Sequence, residues 1–320
     1  MIKRTIVISN PARLHLSMGQ MLVEPIENHN DAQSIVNENQ DEEKKLTSKA
    51  SSVPIEDIGM LILEHERTST THGLMQALIE NNAAVLYCDP KHMPQGLILP
   101  MAAHQTFTEK VHKQLSASEP LKKQLWRQTV QAKIFNQACV LNELGQDTEN
   151  LLYLCSKVKS GDPDNIEGRA AAIYWKNLFE DNAKFTRGRF DMPPNNLLNY
   201  GYAILRGVVA RSLVASGMLP VSGIHHRNKY NPFCLADDIM EPFRPYVDRL
   251  VLNIVKEAGD AIPDELTKEI KIKLLQIPVV DICIDGSWSP MMVGMQRTTS
   301  SLMKCFEGLS RKILYPELGT

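Results

Sequence analysis

The sequence predicts an α+β fold, with a small β-rich N-terminal domain followed by a larger all-helical C-terminal domain. Two observations carry that prediction. As far as about residue 99, apolar residues fall in short β-branched runs bounded by Gly, Pro, Asn and Ser. Beyond Pro100 they recur at helical spacing over much longer stretches. The 320 residues suffice for two domains, and the boundaries expected are 1–95, a linker over 96–108, and a helical domain over 109–320.

Each element follows from local chemistry. Residues 2–8 (IKRTIVI) are β-branched and stop at Ser9-Asn10-Pro11, the pattern of a strand. Ala12–Leu16 and Met21–Ile26 form two arms around Ser17-Met18-Gly19-Gln20, a hairpin with glycine in its turn. The polar stretch over 27–48 predicts a long loop or a weak extra strand. Ile58–Leu63 (IGMLIL) reads as a buried strand. Ser69–Thr71 can cap a helix that crosses Leu74, Leu78 and Ile79 and ends near Asn81-Asn82. Ala84–Cys88 is a strand broken by Asp89-Pro90, and Gly96–Leu99 a last short one. In the helical half, Leu125, Val130, Ile134, Phe135, Ala138 and Leu141 share helical spacing, and helices are expected over 166–180, 197–217, 247–258 and 264–276.

Composition narrows the function class. Hydrophobic residues make up 43% and charged residues 22%, as in ordinary globular proteins. No apolar run reaches the ~18–20 residues of a membrane helix, and the apolar run near the N-terminus is too short for a secretory leader. A cytoplasmic protein with no membrane partner is expected. The six cysteines form no C-x-x-C pair, which argues against a zinc knuckle or redox motif and for reduced, packed thiols. Net charge is -2, but acids prevail from Glu27 to Glu66 and bases from Lys110 to Lys133, followed by Lys184, Arg187, Arg189, Arg206 and Arg211. That asymmetry allows a phosphate-binding face, although solvated helix faces would look the same.

The densest chemistry lies between Gly223 and Pro245, in GIHHRNKYNPFCLADDIMEPFRP. Imidazole and carboxylate donors crowded in this way suit Mg²⁺ or Mn²⁺ better than a thiolate site would. Upstream, NIEGRAAAIYW places Glu167 at the mouth of a helix. The reading is that Glu167, His226 and Glu241 converge on one ion, a set able to work on phosphate esters. Each has a structural alternative. Asp164 and Glu167 stand at capping-box spacing. His225 and His226 point to opposite sides of an extended segment, so only one is a ligand. Asp238 and Glu241 would share a helical face, while Asp237 points elsewhere. Pro242 limits that helix, and Arg244 is placed to pair with Glu241. Lys229, Arg227 and Arg244 could hold a phosphate backbone without reading sequence.

These segments, in order, resemble a known family. NIEGRAAAIYW, LLNYGYAILRGVVARSLVASGMLP, GIHH and LADDIMEPFRPYVD, with TIVISNPARLHL, SVPIEDIGMLILE and WRQTVQAKIFNQACVL, resemble the CRISPR-associated integrase family. This is the first of the two near-universal CRISPR adaptation proteins, and the likeness is to members found beside a type II effector nuclease. It covers nearly the whole chain. It implies metal ligands at Glu167, at His226 (fifteen residues before the EPFRP glutamate) and at Glu241, with Asp238 as a secondary acid beside the metal. The basic candidates for holding DNA are Lys229, Arg244, Arg187, Arg189 and Arg169. The resemblance further implies an Mg²⁺ or Mn²⁺ cofactor and dimerisation through the β-rich domain. Two such dimers would clamp a dimer of the second adaptation protein as a heterohexamer, with the RNA-guided effector nuclease as a further partner. The substrate implied is double-stranded DNA, a prespacer with 3′ hydroxyls joined to a leader-repeat junction by transesterification. A nuclease for branched DNA and a non-catalytic DNA scaffold are the alternatives.

Overall fold

The computed structural model describes residues 3–26, 50–90, 93–101, 104–179, 185–188, 193–259 and 266–319. They form two compact units divided between Leu99 and Pro100. The stretch 27–48, expected as a loop or weak strand, lies outside the described residues, as do Lys184 and Arg189.

The first unit runs β1 (Arg4–Ile8), β2 (Ala12–Ser17), β3 (Gln20–Pro25), β4 (Ser51–Pro54), β5 (Ile58–Leu63), β6 (Thr68–Thr70), α1 (His72–Glu80), β7 (Ala84–Cys88) and β8 (Pro94–Ile98). One sheet has the order β1-β5-β7-β8, with the first three strands parallel and β8 antiparallel. The other has the order β4-β3-β2-β6. All six residues of β5 are buried, which is why a central parallel strand reads as an unbroken apolar run. Leu14 and Met21 from one sheet, Ile58, Leu61 and Val85 from the other, and Leu74 and Leu78 from α1 close a single core. The β2–β3 turn is Met18-Gly19, both left-handed, the backbone of a two-residue type I′ hairpin. Thr71 caps α1 by accepting the Leu74 N–H.

The second unit holds α2 (Phe107–Leu115), α3 (Glu119–Glu143), α4 (Glu149–Lys157), α5 (Ile166–Leu178), α6 (Asn195–Ala215), α7 (Cys234–Met240), α8 (Arg244–Ala258), α9 (Lys268–Leu274), β9 (Asp281–Ile284), β10 (Ser287–Pro290) and α10 (Met291–Phe306). α6 is apolar around most of its circumference and buried along most of its length, so it is the axis on which α7, α8 and α10 pack. Gly201 lets α8 approach, since a methyl there would stand 2.6 Å from Val247 Cγ1. The helical half is not helix alone. β9 and β10 form a hairpin turned by Asp285-Gly286, both left-handed. Among the described residues no helix is long and apolar enough to cross a membrane, and all six cysteines are free.

Candidate active site

Glu167 is aimed by the turn that starts α5. Asn165 takes a left-handed conformation and its side chain accepts the Gly168 N–H, while the Asp162 carboxylate accepts the N–H groups of Ile166 (2.8 Å) and Glu167 (2.9 Å). The Asp164–Glu167 capping box, the structural alternative for Glu167, does not form. Asp164 pairs instead with Lys159 at 2.8 Å. Freed from capping, Glu167 Oε1 accepts a hydrogen bond from Lys133 Nζ on α3 at 2.6 Å.

Glu241 reaches the same ammonium from another direction. Pro242 stops α7 at Met240, Glu241 opens a single 3₁₀ turn, and α8 begins at Arg244. Asp238 and Glu241 nevertheless serve different partners, the histidine segment and the Lys133–Arg244 cations. Glu241 Oε2 lies 2.6 Å from Lys133 Nζ and Oε1 lies 2.9 Å from Arg244 Nε. The Lys133 ammonium thus faces one oxygen of Glu241 and the Arg244 guanidinium faces the other, so each carboxylate oxygen has its own cation. Burial by itself would raise the Glu241 carboxyl. Arg244 and Lys133 outweigh it and hold the group well below the usual carboxylate range. Burial likewise works against the Lys133 ammonium, and the charges of Glu241 and Glu167 reverse that and raise it. Arg244 also lies over the Tyr202 ring, 4.4 Å from its centroid.

Lys133 escaped the sequence reading. Its signal was there, because Trp126, Val130, Lys133 and Gln137 fall on one helical stripe whose other members are all buried. A lysine within such a stripe needs a partner.

The histidine segment is held by Asp238, which is fully buried. Its Oδ2 accepts the N–H groups of Ile224 (2.7 Å) and His225 (2.9 Å), and its Oδ1 accepts that of His226 (3.2 Å). The same Oδ1 lies 2.5 Å from His226 Nδ1. With Nδ1–H donating to the carboxylate, the Nε2 lone pair of His226 is left free, the arrangement typical of a ligating imidazole. The His226 side chain is 45% exposed, so that lone pair can meet a ligand or substrate. Gly223 has no room for a side chain, because a methyl would sit 2.8 Å from Asp238 Oδ2 and against the His226 carbonyl. His225 stacks flat on Trp126 at 4.1 Å. The bond to Asp238, helped by the charges of Glu241 and Glu167, raises His226, whereas burial and then His226 lower His225. Asp237 turns away to Arg206 (2.7 Å) and Asn231 (2.7 Å).

In kind, though not in their present spacing, these donors are those of a divalent-ion site. Glu167 and Glu241, from separate segments, already share one cation at short range, and an imidazole lone pair stands within electrostatic reach of both. Lys133 takes the central place, and among the described residues no trio of His, Cys, Asp or Glu side chains is gathered to hold a metal. Of the basic candidates, Lys229 and Arg169 are exposed. Arg187 is tied to Asn195 (2.9 Å) and Asn199 (2.8 Å) and lies over the Trp175 and Tyr202 rings. Arg189 lies outside the described residues.

Behind the site, buried Asp248 on α8 accepts the hydroxyls of Tyr174 on α5 (3.0 Å) and Tyr202 on α6. Burial pushes its carboxyl up to about 6, against the pull of those two hydroxyls. Three helices that frame the site are thus joined through one acid.

A family model described as CRISPR associated protein Cas1 matches residues 26–264. The chain is 37% identical over 300 residues to the CRISPR-associated endonuclease Cas1 of Neisseria meningitidis serogroup C (strain 8013), covering 93% of this chain and 90% of that protein. A solved casposase bound to integration product superposes with a TM-score of 0.76 at 18% identity, over 98% of this chain and 92% of that one. A chain of a Cas6-RT-Cas1–Cas2 complex superposes with a TM-score of 0.72 at 19% identity, over 99% of this chain and 36% of that one. At such identities the structural likenesses speak for the fold.

Proposed function

The chain belongs to the Cas1 family of CRISPR-associated proteins, and on that premise we propose that it is a metal-dependent DNA endonuclease and integrase of spacer acquisition. One observation carries the reading: Glu167 and Glu241 meet a single cation at 2.6 Å each, beside an imidazole that Asp238 keeps oriented. Glu167, Glu241 and His226 Nε2 would hold Mg²⁺ or Mn²⁺. When bound, the ion supplies Lewis-acid polarisation of a phosphate and stabilises the leaving oxygen. Asp238, with both oxygens committed to the loop, acts as the group that orients His226 and not as a ligand. Exposed Arg169, and Lys229 whose ammonium lies over the exposed Tyr230 ring, would meet phosphates as the substrate arrives. The reaction is an exchange at phosphorus, in which a 3′-hydroxyl oxygen gives up its proton and forms one P–O bond as another breaks, and the departing oxygen takes up a proton in turn. Water in place of the hydroxyl gives cleavage.

The fold shared with a casposase bound to integration product and with a Cas1–Cas2 complex supports duplex DNA as substrate and a small second adaptation protein as partner, and a cytoplasmic setting is part of the proposal. A homodimer formed through the β-rich unit belongs to the same reading. The test is joining of a labelled 3′-hydroxyl duplex to a supercoiled repeat plasmid in Mn²⁺, with and without the partner. Glu167→Gln and His226→Ala should each lose more than about a hundredfold, since even outer-shell substitutions cost 10–100-fold. Full joining by both variants would refute the site. Partner-independent activity confined to branched DNA would favour a repair nuclease instead.

A further inference from the structure

We infer that Lys133 is a built-in cation, which keeps Glu167 and Glu241 together until a divalent ion takes its place. Ion binding in this protein is then an exchange of an ammonium for a metal. The inference rests on the metal-site reading above and extends it to a residue that reading does not include.

The geometry has three parts. Nζ stands at 2.6 Å from an oxygen of each glutamate, so the two carboxylates share it equally. The Lys133 side chain is only 12% exposed, and the Glu241 side chain only 7%. Two carboxylates so enclosed would repel each other and draw protons in the absence of a cation. The ammonium removes that penalty and holds the pair open and ionised. Yet it completes the site poorly. Its hydrogen bond to Glu167 Oε1 is aligned, whereas its 2.6 Å contact with Glu241 Oε2 is an ion pair of poorer hydrogen-bond geometry. A divalent ion bears twice the charge and makes no demand on hydrogen-bond direction. Lysine is also suited to leave, because its charge rides on a flexible four-carbon stem that can swing toward solvent.

The two roles open to Lys133 predict opposite effects on affinity. If it competes with the ion, removing its charge makes the site more negative and binding tighter. If it merely braces the glutamates, removing it loosens the site and binding weakens. Mn²⁺ is titrated calorimetrically into the full chain as wild type, Lys133→Met and Glu167→Gln. Lys133→Met is expected to bind roughly tenfold tighter than wild type. It should also melt lower in chelator and gain more in melting temperature from Mn²⁺ than wild type does. Equal or weaker binding by folded Lys133→Met overturns the inference. Glu167→Gln separates the two levels. If it loses Mn²⁺ while Lys133→Met binds no tighter, the exchange fails and the metal site stands. If it binds like wild type, the metal site fails and the exchange with it. Should Lys133→Met not fold, acylation of wild-type lysines read peptide by peptide decides the matter. Lys133 should react slowly in chelator and several-fold faster in saturating Mg²⁺, and an unchanged rate overturns the exchange.

Discussion

The acid half of the site and the histidine half are held by different physics. Glu167 and Glu241 are gathered by charge, around Lys133 and Arg244, through three ion pairs. The histidine loop is held by direction: four nitrogens bond to one buried carboxylate, and a ring lies flat on Trp126. Coulomb attraction tolerates changes of angle, whereas hydrogen bonds weaken steeply off line. The acid half can therefore change its occupant with little movement of the backbone. The histidine half is set before any ligand arrives.

Substitutions can break or sharpen that contrast. The largest effect is expected at Glu241, whose carboxylate serves two buried cations. Glu241→Gln should cost about 3–5 kcal/mol in urea unfolding, because it strands charge in the interior. Glu167→Gln, at a side chain 21% exposed against 7% for Glu241, leaves Lys133 still paired with Glu241 and should cost clearly less, about 1–2 kcal/mol. Equal losses at the two positions would contradict the charge balance described. Next comes Asp238→Asn, which keeps the volume but turns an NH₂ group toward backbone donors. A loss of about 2–3 kcal/mol is expected, with faster amide exchange at Ile224, His225 and His226. Slow exchange retained at all three would show that something else holds the loop.

A smaller effect belongs to Asp248. Its folded carboxyl sits near 6 against an ordinary value of 3.8, so the folded protein binds this proton more tightly than the unfolded chain does. Its contribution to stability is full below about pH 4 and is lost as pH rises through about 6. The stability of wild type relative to Asp248→Asn should accordingly be greater at pH 4 than at pH 7. A pH-independent difference would mean that the tyrosine hydroxyls offset burial completely. The smallest effect is at His225, where His225→Ala removes a stacked ring worth about 0.5–1.5 kcal/mol. It should loosen His226 without altering the acid pair, as His226 ring chemical shifts would report.

How much of this was legible in the sequence depended on whether the signal was local. β5 and β7 announced themselves as apolar runs, the Met18-Gly19 hairpin by its glycine, and α5, α6 and α8 by their period. Asp285-Gly286 between apolar residues was equally readable as a hairpin, though the change to helical period drew attention away from it. α10 was harder. No element was expected there, and its central Thr298-Thr299-Ser300-Ser301 is a run of weak helix formers, but Thr299 satisfies its hydroxyl with the Ser212 and Ser216 hydroxyls, so tertiary packing overrides propensity. In the site, the acids and histidines stood out by type. Their partners did not, because Lys133 reaches Glu167 across 34 residues and Tyr174 reaches Asp248 across 74. The competition between Arg244 and a metal for Glu241 was foreseeable from their spacing. That Arg244 takes one oxygen and Lys133 the other was not, because Lys133 lies on a distant helix.

The central claim is that Glu167, Glu241 and His226 surround one cation position. Anomalous diffraction from crystals of the full chain soaked in Mn²⁺ tests it most directly. The account predicts one strong peak between the two glutamate carboxylates, within bonding distance of His226 Nε2, with the Lys133 ammonium moved aside. A peak elsewhere, or an ordered Lys133 still bridging the glutamates at saturating Mn²⁺, would contradict it.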